Sequence, residues 1–254
     1  MEKFKITIAF LVPFLFLVFM PIKANVPSLW IQDLTWQELE AAIDSAYTNI
    51  IIPTAGIEQN GPHMPLNKHE KVVAYASEKI AKKLGKTLIA PVLNFVPEEG
   101  HMKFPGTISI SDETFISLLV EISRSLKKHG FKNIYFLGDS YENQDPQSKA
   151  ALKLQSEGIN AFHIASYYAN RDQYSFLAEK GWDSDQRGGH AGLRDTSEFM
   201  AVSENYREDK LKNYQLKNYR KTGSFGEVSL ATKELGEILI DIKVESALKE
   251  IGAP

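Results

Sequence analysis

The 254 residues of this chain include no cysteine. That absence excludes disulfide bonds, zinc–thiolate sites, cysteine nucleophiles and lipoprotein anchoring through a cysteine. The sequence also lacks a stripe of basic residues interleaved with aromatic ones, and its formal net charge is −3, so nucleic acid is not expected as a partner. The one basic run, "KLKNYQLKNYRK" at residues 210–221, is typical of a solvated helix or loop face. The composition, 43% hydrophobic and 24% charged, is that of a globular protein with one sizeable core.

Long apolar runs are also scarce, and the clearest lies at the start of the chain. "ITIAFLVPFLFLVFM" follows the positively charged start "MEKFK" and precedes "IKA", which ends in a small residue. Its 15 residues are fewer than the about 20 that a membrane-spanning helix needs. We therefore predict a secretory signal peptide over residues 1–24, with an uncleaved membrane anchor as the alternative. Residues 25–254 are expected to form a single domain in the periplasm or outside the cell, with no membrane contact after cleavage.

Short apolar runs of strand length alternate with helical patterns along the rest of the chain. "NIIIPTAG", "TLIAPVLNFV", "KNIYFLGD" and "INAFHIASYY" are strand candidates, and a helical pattern separates each from the next. A last helix is predicted from Ser229 to Gly252, packed on one face of the sheet. The order βαβαβαβ predicts an α/β fold, a three-layer α/β/α sandwich with a mostly parallel central sheet. Ligands bind such sheets in the crevice beyond the carboxyl ends of the strands.

The first chemically dense stretch, "IEQNGPHMPLNKHEK" at residues 57–71, follows the first strand. Its side chains could hold a metal, hold a substrate or cap a helix. Asn67 and Glu70 form a capping-box pattern, which places His69 in the first turn of the next helix. Because a helix N-terminus disfavours the imidazolium, His69 is expected to be neutral and able to bind a metal. Glu58 and His69 are then expected to converge on one point.

Two further stretches carry groups of the same kind. "LGDSYENQD" places Asp139 and Glu142 at the end of the third strand, where carboxylates near a histidine can bind a metal or simply form a turn. "RGGHAGLRDTSEFM" contains His190 and Asp195, which can be a general base with its orienting carboxylate, or a loop histidine beside a helix cap. From these residues alone both alternatives stay open.

The stretches stand in the order and spacing of the motifs of a known family. "EQNGPHMPLNKH", "GHMKFPGT", "LGDSYEN" and "HAGLRDTS" resemble the motifs of the creatininase family of metal-dependent amidohydrolases. The glycine-containing "GSFGEVSLATKELGEIL" is similar to the family's last loop and helix, so the resemblance covers about residues 30–250. It implies the family's fold and the hydrolysis of a cyclic amide or related C–N bond, with a pair of divalent ions, usually zinc or manganese.

This chain departs from the family at three of the positions that would bind the ions. The positions correspond to Glu58, Asn60, His69, Ser140 and Glu142. Asn60 and Ser140 stand where the family has histidine, and His69 stands where it has a bridging aspartate. Because a neutral histidine binds one ion and an amide oxygen is a poor zinc ligand, we expect one zinc or manganese ion rather than two, or none.

Three sets of residues are predicted to form the site. The metal ligands are Glu58, His69, Glu142 and Asp139. The catalytic residues are His190, Glu142 and Asp195, and His190 holds the position of a family histidine that shuttles a proton. The residues expected to contact a substrate are Asn60, His63, His101, Ser140, Tyr141 and Trp182.

The sequence thus predicts a secreted, metal-dependent hydrolase that cleaves a small, in some cases cyclic, amide or another non-peptide C–N bond. Its partner is a small-molecule substrate, and a closed homo-oligomer is expected for a soluble protein of this kind. The alternative is a metal-free pseudoenzyme of the same fold that binds a small molecule or a partner, an interpretation motivated by the three replaced ligands. The substrate, the metal and the number of subunits stay open.

Overall fold

A computed structural model describes residues 26–168, 170–203 and 219–252 of the chain. The predicted signal peptide, residues 1–24, lies outside the described residues, as does most of the basic run at 210–221. Both therefore stay predictions. The described residues form a central sheet with helices on its two faces.

The central sheet has four strands, all parallel, in the order β2-β1-β3-β4. The described strands are β1 Asn49–Thr54, β2 Thr87–Ile89, β3 Asn133–Gly138 and β4 Asn160–His163. β1 and β3 pair along their whole length and end side by side at Thr54 and Gly138. The predicted α/β class with a parallel sheet is confirmed, and the carboxyl ends of the two central strands meet at one edge.

Helices connect these strands and follow the last one. The described α-helices are α1 Trp36–Asp44, α2 Lys68–Leu84, α3 Asp112–Lys128, α4 Gln144–Ser156, α5 Asn170–Glu179, α6 Ser184–Arg187, α7 Leu193–Val202, α8 Tyr219–Thr222 and α9 Lys233–Ile251. Ser111 precedes α3 and accepts a hydrogen bond from the backbone N–H of Thr114 at 3.2 Å, as its sequence position predicts.

The apolar run of β1 explains why helices cover both faces of the sheet. Successive side chains of a strand point to opposite faces. Ile50 and Ile52 pack with residues of α3 and α4 on one face, and Ile51 packs with residues of α2 and α9 on the other. All three are fully buried, and burial of each side chain contributes roughly 2–3 kcal/mol. The two faces give the predicted three layers.

Two strands are shorter than predicted. β2 ends at Ile89 instead of extending to residue 96, because Pro91 has no N–H to donate to a neighbouring strand. β4 ends at His163, and the chain then turns into a 3-10 helix at Ala165–Tyr168. Tyr168 therefore lies just beyond the end of a strand and not within one.

Two helix starts also differ from the prediction. α9 begins at Lys233 instead of Ser229, because Thr232 caps the helix and its side chain accepts a backbone N–H at 3.1 Å. Asn67 precedes α2 but makes no side-chain cap hydrogen bond, and its backbone is not extended as a capping residue's usually is (φ −96°, ψ 24°). The predicted capping box of Asn67 and Glu70 is therefore wrong.

The last helix lies on one face of the sheet, as predicted. Ile240 and Val244 of α9 share a buried cluster with Ile51 of β1 and Leu137 of β3. None of the helices in the described part of the chain has the length and apolar character that crossing a membrane requires.

Candidate active site

A polar pocket lies beyond the ends of β1 and β3, where ligands bind sheets of this kind. Glu58 follows β1, Ser140 follows β3, and His190 comes from the loop before α7. The cavity has a volume of about 240 Å³. Its walls are formed by Glu58, His69, Glu98, His101, Ser140, Tyr141, Glu142, Tyr168, Tyr174, Gly189, His190, Arg194 and Asp195.

Glu58, His101 and His190 form a group at this pocket that could hold a metal ion. Their ligand atoms lie within 4.8 Å of one another. The Glu58 carboxylate is 2% exposed, with Oε2 3.3 Å from Nε2 of His101 and Oε1 3.8 Å from Nδ1 of His190. The two imidazole rings stack with their centroids 4.2 Å apart. Of the predicted metal ligands, only Glu58 belongs to this group.

Hydrogen bonds to Gln59 indicate which nitrogen of each ring carries the proton. Nε2 of His190 lies 2.8 Å from the Gln59 backbone carbonyl and donates to it, so Nδ1 is the acceptor. The Gln59 amide is fixed because its oxygen accepts the Gly61 N–H at 2.9 Å and its nitrogen donates to the Gly223 carbonyl at 2.8 Å. The same nitrogen lies 3.0 Å from Nδ1 of His101. His101 therefore accepts at Nδ1 and carries its proton on Nε2.

His69 has a different environment from the one predicted. Its Nδ1 lies 2.8 Å from Asp139, and its Nε2 is hydrogen-bonded to Glu58. Burial and the neighbouring Lys68 oppose the charged form, but the two carboxylates outweigh them and raise the pKa of His69. The prediction of a neutral His69 is wrong because two direct carboxylate contacts exceed the effect of a helix N-terminus. Its role as a metal ligand stays a prediction, although both ring nitrogens already face carboxylates.

The same contact explains the ionisation of Glu58. Burial raises the pKa of a carboxyl group, but the charge and the hydrogen bond of His69 outweigh burial and lower the pKa of Glu58 to about 2. Burial lowers the pKa of His190. At neutral pH the pocket therefore holds an ionised Glu58 beside a neutral His190.

A cluster of buried charges lies behind the pocket. Lys243 of α9 contacts Asp139 at 2.5 Å and Glu198 at 3.6 Å, and Lys68 of α2 contacts Asp195 at 3.2 Å. Burial opposes ionisation of Asp139 and Asp195, but the neighbouring cations outweigh it and lower both pKa values. Asp139, predicted as a metal ligand, is paired with Lys243 on the far side of His69, and its metal-binding role stays a prediction.

Glu98 is a pocket residue that the sequence analysis missed. It is fully buried, and Ser140 donates a hydrogen bond to its Oε2 at 3.0 Å. Burial and the charge of Glu58 raise the pKa of Glu98 to about 10, so it is neutral at physiological pH and donates to Glu58. A side chain at Gly56 would overlap Oε1 of Glu98. The glycine at the end of β1 was the sequence signal that something approaches the backbone here.

Glu142 lines the pocket but does not approach the group formed by Glu58, His101 and His190. Its carboxylate accepts the backbone N–H groups of Glu99 at 2.8 Å and Gly100 at 3.0 Å. These amides begin a short 3-10 helix. The predicted metal and catalytic roles of Glu142 stay predictions, and its observed contacts are those of a residue that fixes the pocket wall.

Three predicted substrate contacts lie outside the pocket walls. Asn60 is fully buried and donates to the Glu58 backbone carbonyl at 3.0 Å. His63 is buried against Thr196 at 3.0 Å, and burial lowers its pKa to about 4. Trp182 packs on the apolar cluster that contains Leu193. Asn60 and His63 are buried and Trp182 is half-buried, and the predicted substrate contacts of all three stay predictions.

Asp195 hydrogen-bonds to groups other than His190 in the contacts described here, and its predicted orienting role stays a prediction. Its Oδ2 accepts the Ala191 N–H at 2.8 Å, and its Oδ1 accepts a hydrogen bond from Arg194 at 2.8 Å. The group that orients His190 is the Gln59 carbonyl. Asp195 remains in the pocket lining, where it pairs with cations.

Three tyrosines form one wall of the pocket. Tyr141, which was predicted, is 75% exposed, and its ring centroid lies 6.3 Å from that of Tyr168. The guanidinium carbon of Arg194 lies over the ring of Tyr174, 5.4 Å from the ring centroid. Tyr168 was missed because it was assigned to the end of a predicted strand, residues 159–168.

The fold and the site together define a class of protein: an α/β/α sandwich with an acidic, histidine-containing pocket at the carboxyl ends of its central strands. A family model described as creatininase, creatinine amidohydrolase, matches residues 32–251. The chain belongs to the creatininase family, as the motif resemblance predicted.

Two relatives show how far the sequence similarity extends. Creatinine amidohydrolase of Pseudomonas putida is 26% identical over 192 residues, which are 69% of this chain and 72% of that protein. A mycofactocin precursor peptide peptidase of Mycolicibacterium smegmatis is 26% identical over 159 residues, 61% of this chain and 58% of that protein. At this distance the family is shared, but the relatives' names describe different substrates.

Solved creatininase structures share the fold. A crystal structure of creatinine amidohydrolase has a TM-score of 0.70 at 21% identity and covers 89% of this chain and 97% of its own. Other creatininase structures with the same fold are described as a Zn-Zn type and as a Mn form.

Proposed function

We propose that this chain is a hydrolase of the creatininase type that cleaves a small amide, cyclic amides included, or another non-peptide C–N bond. The observation that carries the proposal is the group of Glu58, His101 and His190, one ionised carboxylate beside two imidazoles. The cavity of about 240 Å³ is smaller than the roughly 300–1,000 Å³ of typical ligand pockets, which favours a small substrate. Relatives named as an amidohydrolase and a peptidase support cleavage of a C–N bond.

The donor set of this group fits one divalent ion. One carboxylate and two imidazoles match catalytic zinc sites, which have three protein ligands and an open fourth position. A backbone carbonyl accepts Nε2–H of His190, so Nδ1 of that ring is oriented to bind an ion. His101 carries its proton on Nε2 and has to lose it before that nitrogen can bind the ion. When bound, zinc or manganese supplies Lewis acidity that polarises an amide carbonyl and lowers the pKa of water.

A second ion is not part of the proposal, because the other family positions are hydrogen-bonded elsewhere. Asn60 donates to the backbone carbonyl of Glu58, and Ser140 donates to Glu98. Glu142 accepts two backbone N–H groups. These contacts hold the three side chains in place. Oδ1 of Asn60 accepts no hydrogen bond among the described residues, but an amide oxygen is a poor zinc ligand.

The chain's own residues supply proton transfer and hydrogen bonds. Neutral His190 has its lone pair at Nδ1, while Gln59 keeps its ring in place. That atom can either hold the ion or accept a proton and deliver it to the leaving nitrogen, but not both at once. Glu98 donates its one proton to Glu58, so it adds no negative charge to the pocket. Ser140 holds the Glu98 carboxyl group in position.

The test starts with the protein recovered from the periplasm without chelators. We propose that the protein is exported and that residues 1–24 are removed. Its mass should therefore correspond to a chain that starts at Asn25. Size-exclusion chromatography then gives the number of subunits. Elemental mass spectrometry should find about one equivalent of zinc or manganese per chain. A panel of small linear and cyclic amides is then screened for hydrolysis.

Two variants and a control decide the role of the group. Glu58→Ala and His190→Ala should each lower ion binding at least about tenfold and reduce hydrolysis about 100-fold or more. His129→Ala changes an exposed histidine at the end of α3 and should leave both unchanged. Less than about a tenth of an equivalent of zinc or manganese per wild-type chain, after incubation with excess ion, would contradict the metallohydrolase proposal.

A second candidate is a metal-free protein that binds a small molecule or partner with the same pocket. The observation that favours it is that Glu58 is already neutralised by His69, without an ion. In that case the wild type contains no ion and hydrolyses none of the amides. A ligand found by thermal shift should then still bind to Glu58→Ala or to His190→Ala.

A further inference from the structure

Two lysines are buried behind the pocket, which is rare because an ammonium group loses its hydration there. Lys68 is 1% exposed and Lys243 is 3% exposed. They come from different helices, Lys68 from the first turn of α2 and Lys243 from the middle of α9. A buried ammonium group requires acidic partners within the protein.

The partners are the acids that lie on the far side of His69. Lys243 is 2.5 Å from Asp139 and 3.6 Å from Glu198. Lys68 is 3.2 Å from Asp195 and 3.3 Å from Nδ1 of His69. Each lysine therefore lies close enough to a carboxylate for the two charges to form a direct ion pair.

Carboxylates that lie close together in a protein interior need counter-ions. Without them they bind a cation or take up protons. Here His69 joins Asp139 to Glu58 through its two ring nitrogens, Lys243 pairs with Asp139 and Glu198, and Lys68 and Arg194 pair with Asp195. The four acids are thus matched by four cationic side chains of the chain itself.

We propose that Lys68 and Lys243 are internal counter-ions of the acids behind the pocket, so that these acids hold no divalent ion and folding does not depend on one. The inference goes beyond the proposed function, because it holds whether or not an ion binds at Glu58, His101 and His190.

Lys243→Ala tests the proposal, because it leaves Asp139 and Glu198 without their ammonium group. Wild type and variant are compared in the His190→Ala background, so that ion binding at the pocket does not contribute. The His190→Ala protein should unfold cooperatively with the same Tm in EDTA and in manganese. Adding Lys243→Ala should lower Tm by roughly 10 °C in EDTA. Manganese should restore at least about half of that loss, with about one new equivalent bound.

Lys79→Ala is the matched control, because Lys79 pairs with Asp241 between the same helices α2 and α9 on the protein surface. It should change Tm little and create no response to manganese. More than one equivalent bound to the wild type, or a Lys243→Ala protein that is as stable as its parent, would overturn the proposal. If Lys243→Ala does not fold, the unfolding of the wild-type protein in EDTA tests the proposal. A cooperative thermal transition in EDTA supports it, and a wild type that EDTA alone unfolds refutes it.

Discussion

Glu98 and Glu58 show how two neighbouring carboxyl groups take opposite charge states. Glu58 is hydrogen-bonded to His69, which stabilises its ionised form. Ser140 donates a hydrogen bond to Glu98, but burial and the charge of Glu58 favour its neutral form. The two carboxyl groups therefore share one proton and one negative charge at neutral pH.

Glu98→Gln should change how stability depends on pH. The pKa of Glu98 is about 10 in the folded protein and near 4.5 in the unfolded chain, so the folded state binds the extra proton between these values. Stability therefore falls as pH rises through this window, by up to about 1.4 kcal/mol per pH unit. Glutamine keeps the hydrogen bonds but has no proton to lose. Urea unfolding should show equal stability below about pH 4 and a growing advantage of Glu98→Gln above it.

Glu99→Gln is the control for that measurement, because Glu99 is the next residue and its side chain is exposed. Its stability should follow the wild type at every pH. Parallel curves for the wild type and Glu98→Gln would show that Glu98 is not held neutral by the fold.

The sequence predicted which segments meet at the site better than it predicted the partner of each side chain. Glu58, His101 and His190 were all identified, because strand ends and loop motifs are visible in the sequence. His69 was expected to be neutral, since the approach of Asp139 from another strand cannot be read from local spacing. Glu98 was missed for the same reason, because its pKa depends on its distance from Glu58.

At the scale of elements, the contact between α7 and α9 holds the charged residues of the site in place. α7 carries Asp195 and Glu198, and α9 carries Lys243. The two helices approach closely at Gly236, where a Cβ atom would overlap the Ser197 carbonyl oxygen. Glycine is therefore required in the first turn of α9 despite its low helix propensity.

Gly236→Ala should destabilise the protein. Helix propensity alone favours alanine by about 1 kcal/mol, but the overlap is with backbone atoms of α7, which cannot rotate away. We expect a net loss of about 2–3 kcal/mol in the free energy of unfolding, measured by urea denaturation. Glu237→Ala, at the next and exposed position of α9, should change it by less than about 0.5 kcal/mol. A Gly236→Ala protein that is more stable than wild type would show that the helices can separate at no cost.

Most elements could be predicted because local patterns determine them. The buried run of Ile50–Ile52 required a strand covered on both faces, and periodic apolar residues gave the helices. The ends of the strands and helices were less predictable. Pro91 ends β2 inside a longer apolar run, and Thr232, not Ser229, caps α9. The contact of α7 with α9 depends on packing between segments about 40 residues apart, which no local pattern records.

At the scale of the whole molecule, the buried charges determine the pH range in which the fold is stable. Glu58, Asp139 and Asp195 have lowered pKa values, so their contribution is present above about pH 4.5 and is lost as pH falls through the folded-state values. His69 and Glu98 have raised pKa values, so stability declines as pH rises above the values of the unfolded chain. The two trends place the maximum of stability near about pH 5.

Acid should therefore unfold this protein steeply. Three acids that are ionised in the folded state and protonated in the unfolded chain give a slope of up to about 4 kcal/mol per pH unit between about pH 4 and 2. Urea midpoints measured from pH 2 to pH 9 should trace this fall. Glu58→Gln should reduce the slope by about a third, because it removes one of the three groups. Asp145→Asn, which breaks the exposed pair with Lys149, should leave the slope unchanged. An equal reduction by both variants would mean that the surface, not the buried cluster, governs acid stability.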